Sequence, residues 1–138
     1  MSNTEVSRRL VLLGSAVFLS GIASHAVAQA RTRVKFAKGN DNTSVDGTIR
    51  GEEYHDYLLG AKGGQRMSVS LISDQAYFNI LPPGSTGEAI YNSSINGNDA
   101  TNIVLPKSGD YTIRVYQMGA AADGGRATAY TVSVTIGG

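Results

Sequence analysis

The stretch around His55 holds the residues of this sequence that are best suited to acid–base chemistry. Glu52, Glu53 and Asp56 lie beside His55, which is the only histidine beyond His25. Glycoside hydrolysis needs two carboxyl groups across a cleft, and a serine hydrolase triad needs a histidine between a nucleophile and an acid. In an extended chain, neighbours such as Glu52 and Glu53 point to opposite faces. We therefore expect exposed residues of a strand and no enzymatic activity.

Metal sites lack a full set of ligands in this sequence. With no cysteine and so few histidines, a histidine-based zinc site is excluded. The Asn- and Asp-rich turns at 39–42 and 96–99 are the alternative, as oxygen ligands for calcium, although they lack the spacing of a calcium loop. Such side chains commonly bond to the backbone of their own turn. The prediction is therefore no metal and no cofactor.

The N-terminal residues have the three parts of a secretory signal peptide. Arg8 and Arg9 precede an uncharged apolar run, residues 10–23, and a small-residue stretch then ends in two A-x-A sites. The run is shorter than the roughly 20 residues of a membrane-spanning helix, so we expect a cleaved signal, residues 1–30, and no anchor. Cleavage follows Ala28 or Ala30, by the general secretory or the twin-arginine route. The predicted location is the periplasm or the medium.

The exported part, residues 31–138, is electrically balanced. Its acidic and basic residues are equal in number once Glu5, Arg8 and Arg9 have left with the signal. A neutral chain without a basic run has no electrostatic attraction to nucleic acid or to an anionic membrane. Its length fits one domain, and in the absence of cysteine that domain must be held by packing and strand pairing.

A hydrophobic period of two runs through the exported part. It is clear at residues 34–36, 67–71, 111–115 and 130–136, and weaker at 43–50, 55–62, 76–81, 88–93 and 101–106. Strands with one apolar face and one polar, solvent-exposed face are typical of antiparallel sheets packed on one side. Glycine, asparagine and aspartate turns separate them. The sequence predicts an all-β fold, a single-domain antiparallel β-sandwich of about eight short strands, with at most one helical turn at 120–122.

Binding by such a scaffold is carried mainly by its loops. The connection between the last two clear strands, residues 117–128, is glycine-rich, with Met118 near one end and Arg126 near the other. Tyr54, Arg114 and Tyr116 lie near segment ends, and tyrosine and arginine are frequent interface anchors. Tyrosines of small β domains are also common as core or cross-strand residues. These residues are thus candidates for contact with a protein partner.

Five short motifs give the sequence a family resemblance. They are K-G at 38–39, G-x-I-x-G at 47–51, the tyrosines at 54 and 57, A-K-x-G-Q at 61–65 and S-G-x-Y-x-x-R-V at 108–115. From Val34 to Ile136 the chain resembles the periplasmic inhibitors of goose-type (g-type) lysozyme, which are small exported β-sandwich proteins of Gram-negative bacteria. The last motif also resembles exported pre-peptidase-type sandwiches. The resemblance implies a β-sandwich that serves bacterial defence against lysozyme.

The resemblance also implies how a lysozyme would be blocked. In the family, an aromatic residue just after the G-x-I-x-G strand and two arginines of the penultimate loop enter the lysozyme cleft. The aromatic position falls on Glu52 in this sequence. The loop arginines fall on Gly119 and Asp123, whereas Arg114 matches on a strand. The acidic residues at positions 52 and 123 would repel the acidic catalytic groups of a cleft. Arg126 could replace a missing loop arginine only if the loop is rearranged.

The predicted function is that of a periplasmic, lysozyme-inhibitor-like binding protein whose partner is g-type lysozyme. The turn at 51–54 and the loop at 117–127 would occlude the cleft without chemistry. The alternative is an exported, pre-peptidase-type sandwich that binds cell-wall glycan or another envelope protein. Glycan binding predicts exposed aromatic residues on one face, such as Tyr91 or Tyr116, whereas occlusion predicts two protruding loops at one end. An enzyme would need a cleft around His55 and Asp56.

Overall fold

The computed structural model describes residues 29–138, so the predicted signal peptide lies outside the described residues except for its last two. This part of the chain contains nine strands and two short helices. The strands are β1 (Gln29–Arg33), β2 (Asn42–Arg50), β3 (Tyr54–Ala61), β4 (Arg66–Ser73), β5 (Ala76–Leu81), β6 (Tyr91–Asn92), β7 (Asp99–Val104), β8 (Gly109–Gln117) and β9 (Ala127–Gly137). The helices are α1 (Ser93–Asn96) and α2 (Gly119–Asp123). Neither helix is long enough to cross a membrane.

The strands form two sheets that pack face to face. Sheet A has the order β1-β3-β8-β5-β6, and sheet B has the order β2-β9-β4-β7. Neighbouring strands are antiparallel except for β1, which runs parallel to β3 from Gln29 opposite Tyr54 to Arg33 opposite Leu58. The predicted all-β, antiparallel sandwich is confirmed, with nine strands in place of about eight.

The apolar residues of both sheets meet in one core. The period of two that is clear at 67–71, 111–115 and 130–136 corresponds to β4, β8 and β9 and turns every second side chain inward. Each large apolar side chain that is fully buried stabilises the fold by about 1.5–3 kcal/mol. The core includes Leu59, Phe78, Ile80, Tyr111, Ile113 and Val115 from sheet A, and Ile49, Met67, Val69 and Val132 from sheet B.

The predicted strand at 34–36 is wrong, because these residues follow the end of β1. Val34 and Phe36 are half-buried against the core, which accounts for their alternation with Lys35. The chain then turns, and the N–H of Asn40 donates to the carbonyl oxygen of Ala37 at 2.8 Å. The alternation at 34–36 therefore reflects the partial burial of Val34 and Phe36, and the turn that follows ends the extended segment.

Of the five weaker strand predictions, four correspond to strands and one does so only in part. Those at 43–50, 55–62, 76–81 and 101–106 correspond to β2, β3, β5 and β7 within two residues at each end. The candidate at 88–93 retains only β6, because the chain enters α1 at Ser93. The helical turn predicted at 120–122 is part of α2.

The two ends of the sandwich carry different connections. The first, which we call the loop end, holds the β2–β3 turn (residues 51–53) and the α2 loop (residues 118–126). At the opposite end, the N–H of Gly63 donates to the hydroxyl of Ser108 at 2.9 Å, and the hydroxyl of Tyr111 donates to the carbonyl oxygen of Lys107 at 2.5 Å. The A-K-x-G-Q and S-G-x-Y motifs thus stabilise turns far from the loop end.

Candidate functional site

The β2–β3 turn and the α2 loop are joined by hydrogen bonds. The N–H of Gly51 donates to the carbonyl oxygen of Arg126 at 2.9 Å. The side-chain amide of Gln117 donates to the same oxygen at 2.8 Å and to the carbonyl oxygen of Gly51 at 3.3 Å. The oxygen of that amide accepts from the hydroxyl of Thr128 at 2.5 Å. Gln117 and Thr128 are buried, so these bonds satisfy groups that water cannot reach, and the two connections form one unit.

Sequence reasoning missed Gln117, although the sequence contains a signal for it. Tyr111, Ile113 and Val115 alternate inward along β8, and the next inward position is the polar Gln117. A polar residue that continues an apolar stripe must find partners inside the protein, because an unpaired buried amide is costly. The stripe could therefore have identified Gln117 as the residue that holds neighbouring loops.

Gly51 permits the contact between the two connections. Its backbone has φ +57, and a Cβ at this position would lie 3.2 Å from Cα of Gly125 and 3.5 Å from the carbonyl oxygen of Ala122. Any other residue would be strained in this conformation and pressed against backbone. The last glycine of the G-x-I-x-G motif is therefore required by the geometry of the loop end.

Four of the predicted contact residues lie on this unit. Glu52 and Asp123 are exposed, as is Gly119, and Met118 has a relative exposure of 50%. Within residues 29–138, neither Glu52 nor Asp123 forms a salt bridge. The loop end thus offers two unpaired carboxylates where the resemblance places an aromatic residue and an arginine.

Arg126 lies on the sheet B side of the loop end. It lines a shallow groove of about 730 Å³ on the outer face of that sheet, together with Ile72, Ala129, Asp46 and Asp74. Ile72 is an apolar side chain with a relative exposure of 72%. The guanidinium of Arg126 has no salt-bridge partner in the described part of the chain. It is therefore free to meet the carboxylate of a partner.

Arg114 lies on the outer face of sheet A and forms an ion pair with Asp56. The two residues are opposite each other in the register of β3 and β8. Nε and Nη2 of Arg114 donate to the two carboxylate oxygens at 2.8 and 2.9 Å, and this hydrogen bonding raises the pKa of Arg114 above its ordinary value. The guanidinium also covers the ring of Tyr54, 4.1 Å from its centroid. Arg114 and Tyr54 therefore stabilise the sheet before any partner is present.

Asp56 is buried, so the expectation of an exposed carboxylate is wrong for this residue. It has a relative exposure of 1%, and Arg31 on β1 adds a third contact at 3.5 Å. Two strands and two guanidinium groups surround the carboxylate. The sequence shows only that charged residues occur in β1, β3 and β8, and the register that joins them follows from strand order.

His55 faces the opposite way, into the space between the sheets. Its Nδ1 lies 2.9 Å from the hydroxyl of Tyr130, which lies 2.5 Å from the hydroxyl of Tyr57. Its Nε2 lies 3.9 Å from Oε1 of Glu53. The predicted exposed His55 is in fact half-buried. Since His55 and Asp56 lie on opposite faces of β3, they do not line one cleft.

Burial raises the pKa of Tyr130 well above the ordinary value of a phenol, and its hydrogen bond with Tyr57 adds to this effect. The hydroxyl of Tyr130 occupies the space that a side chain at Gly47 would fill. The first glycine of the G-x-I-x-G motif therefore makes room for this bonded group of Tyr57, Tyr130 and His55.

The two tyrosines that glycan binding would use have internal partners. The hydroxyl of Tyr91 donates to the carbonyl oxygen of Gly97 at 2.6 Å, and its ring stacks on Phe78 with 5.6 Å between centroids. The hydroxyl of Tyr116 donates to Oδ1 of Asn79 at 2.9 Å. Burial raises the pKa of Tyr116. Tyr91 thus fixes the chain around α1, and Tyr116 lies half-buried on the outer face of sheet A.

The turns considered for calcium show no gathering of carboxylates. In residues 29–138, no group of three or more His, Asp or Glu side chains is placed to hold a metal ion. Asp41 accepts from the side-chain amide of Asn42, and Asp99 accepts from the hydroxyl of Ser70 at 2.7 Å. These aspartates therefore bond to neighbouring polar groups of the protein.

This chain is similar to three known proteins in sequence or in fold. The crystal structure of Aeromonas hydrophila PliG, a periplasmic inhibitor of g-type lysozyme, shares 35% sequence identity and superposes with a TM-score of 0.75, covering 80% of this chain and 99% of that one. The inhibitor of g-type lysozyme from Escherichia coli K12 is 29% identical over an alignment of 130 residues that covers 92% of this chain and 90% of the relative. The pre-peptidase C-terminal domain of a Bacillus anthracis collagenase is 16% identical with a TM-score of 0.55, over 80% of this chain and 97% of the domain.

The last likeness concerns the fold alone, since the identity is low. No family model matches the sequence. The identity to Aeromonas PliG extends over nearly the whole length of that protein. The fold, the glycine motifs and this identity together show that the chain belongs to the family of periplasmic inhibitors of g-type lysozyme.

Proposed function

We propose that this protein is a periplasmic inhibitor of g-type lysozyme that blocks the cleft of the enzyme with its loop end. The observation that carries the proposal is the joining of the β2–β3 turn to the α2 loop through Gly51, Gln117 and Arg126. A unit that is already ordered loses less conformational entropy on binding than two free loops would. The relatives from Aeromonas and Escherichia, which are inhibitors of g-type lysozyme, support the choice of partner.

Inhibition of this kind requires no chemistry from the inhibitor. Glycoside hydrolases act through carboxyl groups in a cleft, so a guanidinium that enters the cleft pairs with an acid the enzyme needs. Arg126 supplies that group, since it is exposed and its guanidinium is unpaired within residues 29–138. Arg114 does not supply such a group, because its guanidinium is bound to Asp56.

The acidic residues of the loop end reduce this attraction. Glu52 and Asp123 are exposed and belong to the same unit as Arg126. Like charges that face each other across an interface weaken binding, and the effect decreases with added salt. This chain is therefore a weaker inhibitor at low salt than a variant in which the two carboxylates are neutral.

The first experiment measures lysis of a bacterial substrate by g-type lysozyme in the presence of the protein purified from the periplasm. Chicken-type and invertebrate-type lysozymes serve as comparison enzymes. We expect inhibition of the g-type enzyme at micromolar protein. If the protein inhibits no g-type lysozyme at that concentration, the proposed function is wrong.

Three variants then test the role of charge. Arg126→Ala should weaken inhibition about ten-fold, because a charge-assisted hydrogen bond contributes roughly 1.5–3 kcal/mol. Arg66→Ala is the matched control, since Arg66 is exposed at the opposite end of the sandwich. Neutralising the loop end with Glu52→Gln and Asp123→Asn should strengthen inhibition. Unchanged inhibition by Arg126→Ala would exclude a direct role for this guanidinium.

A further inference from the structure

The outer face of sheet A carries three tyrosines in a row across adjacent strands. Tyr77 on β5 is opposite Tyr116 on β8, with 6.2 Å between their ring centroids. Tyr54 takes the corresponding position on β3, because Asp56 and Arg114 are opposite each other and Tyr54 and Tyr116 lie two residues beyond them. All three side chains are half-buried. We call this set the tyrosine row.

Two polar groups at the tyrosine row, the hydroxyl of Tyr116 and the guanidinium of Arg114, are bonded to groups of the same face. The hydroxyl of Tyr116 contacts the side-chain oxygens of Asn79 and Asn92, and the guanidinium over Tyr54 is bound to Asp56. Covering these two groups removes little hydration from unpaired atoms, which is the main cost of burying polar atoms. The row is therefore a largely aromatic surface on which the hydroxyl of Tyr116 and the guanidinium of Arg114 already have partners.

Exposed apolar side chains lie next to the row. Met118 follows the end of β8 and has a relative exposure of 50%. Ile95, on α1, has a relative exposure of 77%, and the cap residue of that helix, Asn92, contacts the hydroxyl of Tyr116. Met118 also belongs to the α2 loop, so the row is continuous with the loop end. Tyrosine and methionine are enriched in protein interfaces, where aromatic anchors contribute most of the affinity.

We infer that the tyrosine row is a second contact surface for the lysozyme, alongside the loop end that enters the cleft. This inference depends on the proposed function. Two observations favour a protein over a saccharide at this surface. The hydroxyl of Tyr116 and the guanidinium of Arg114, which could otherwise bond to sugar hydroxyls, are engaged with Asn79, Asn92 and Asp56, and the neighbours of the row are the apolar Met118 and Ile95.

The test compares inhibition constants of four variants against g-type lysozyme. Tyr77→Ala removes a ring with no side-chain hydrogen bond recorded among the described residues, and Met118→Ala removes the link to the loop end. We expect Tyr77→Ala to weaken inhibition about 30-fold, as for an aromatic anchor, and Met118→Ala to weaken it less. Tyr116→Phe retains its ring and should inhibit nearly as well as the unaltered protein.

Val104→Ala is the matched control, because Val104 is an exposed apolar residue on sheet B near the opposite end. Circular dichroism melting of each variant separates loss of contact from loss of folding. If the unaltered protein inhibits and Tyr77→Ala inhibits equally well, the tyrosine row is not a contact surface. If Tyr77→Ala abolishes binding of peptidoglycan fragments but leaves inhibition intact, the row binds glycan and the inference is wrong. If the unaltered protein does not inhibit at all, the proposed function fails together with the inference.

Discussion

The backbone N–H of Gly51 donates to the carbonyl oxygen of Arg126 at 2.9 Å, and this bond joins the two connections of the loop end. The side-chain amide of Gln117 lies between the same two residues and donates to both carbonyl oxygens. Arg126 thus anchors the α2 loop through its backbone, and its side chain stays exposed for a partner. In the proposed function, positioning and recognition are therefore assigned to different atoms of one residue.

Gly51→Ala should lower both stability and inhibition. The left-handed backbone of Gly51 costs an alanine about 1–2 kcal/mol, and the new Cβ would lie 3.2 Å from Cα of Gly125. For a domain of this size, roughly 1 kcal/mol corresponds to a 4–8 °C lower melting temperature. Gly64→Ala provides the control, because Gly64 has φ +89 with open space around it at the opposite end. Both variants should melt earlier, and equal inhibition by the two would refute the role of the Gly51 contact.

Replacing Asp56 by asparagine should destabilise the protein by about 1.5–3 kcal/mol, since the half-buried guanidinium of Arg114 loses its charged partner. Chemical unfolding measures the change. Asp110→Asn removes a carboxylate that pairs with Arg33 at 2.8 Å on the exposed side of the sheet, and it should have little effect. Equal losses in the two variants would contradict the importance of burial at Asp56.

Gly47→Ala should cost about 1–3 kcal/mol, because its Cβ would fall on the hydroxyl of Tyr130 and displace it. The loss should appear as a lower melting temperature together with altered tyrosine signals in the near-ultraviolet circular dichroism spectrum. Gly60→Ala is the comparison, since its Cβ would meet only Oδ1 of Asp110 at an ordinary 3.6 Å. A Gly47→Ala protein as stable as Gly60→Ala would show that the sheets can shift to accept the side chain.

The fold was predictable because a period of two is a local property. The alternation within a single strand defines which side chains of β4, β8 and β9 face the core, whatever the neighbouring strands are. Strand order is not local, and the parallel placement of β1 beside β3 could not be read from alternation. The prediction of a strand at 34–36 was wrong for a related reason, since Val34 and Phe36 are half-buried without being in a strand.

The candidate site was predictable only in part. The α2 loop was identified from its glycines and the β2–β3 turn from the family resemblance, but the bonds from Gln117 that join them depend on how β8 and β2 are placed in different sheets. Strand order also decides that Arg114 is bound to Asp56, whereas Arg126 has no such partner in the described residues. Residue types indicated which side chains could bind a partner, and the register determined which of them are free.

The hydroxyl of Tyr130 should make stability fall in alkaline solution. Burial raises the pKa of Tyr130, so the folded protein retains a proton that the unfolded chain releases near pH 10. Above that pH the unfolded state binds fewer protons than the folded state, and the free energy of unfolding decreases as pH rises. Below pH 10 both states are protonated, and this group causes no change. The melting temperature measured from pH 8 to 11 should therefore decline beyond pH 10.

Tyr130→Phe separates this titration from packing. The variant retains the ring but leaves the hydroxyl of Tyr57 and Nδ1 of His55 without their partner, so it should be less stable by about 1–3 kcal/mol at pH 8. Between pH 10 and 11 its melting temperature should decline less steeply than that of the unaltered protein, because one tyrosine with a raised pKa is gone. Tyr91 and Tyr116, whose pKa values burial also raises, account for the decline that remains. Parallel melting curves for the two proteins would mean that Tyr130 ionises equally in the folded and unfolded states.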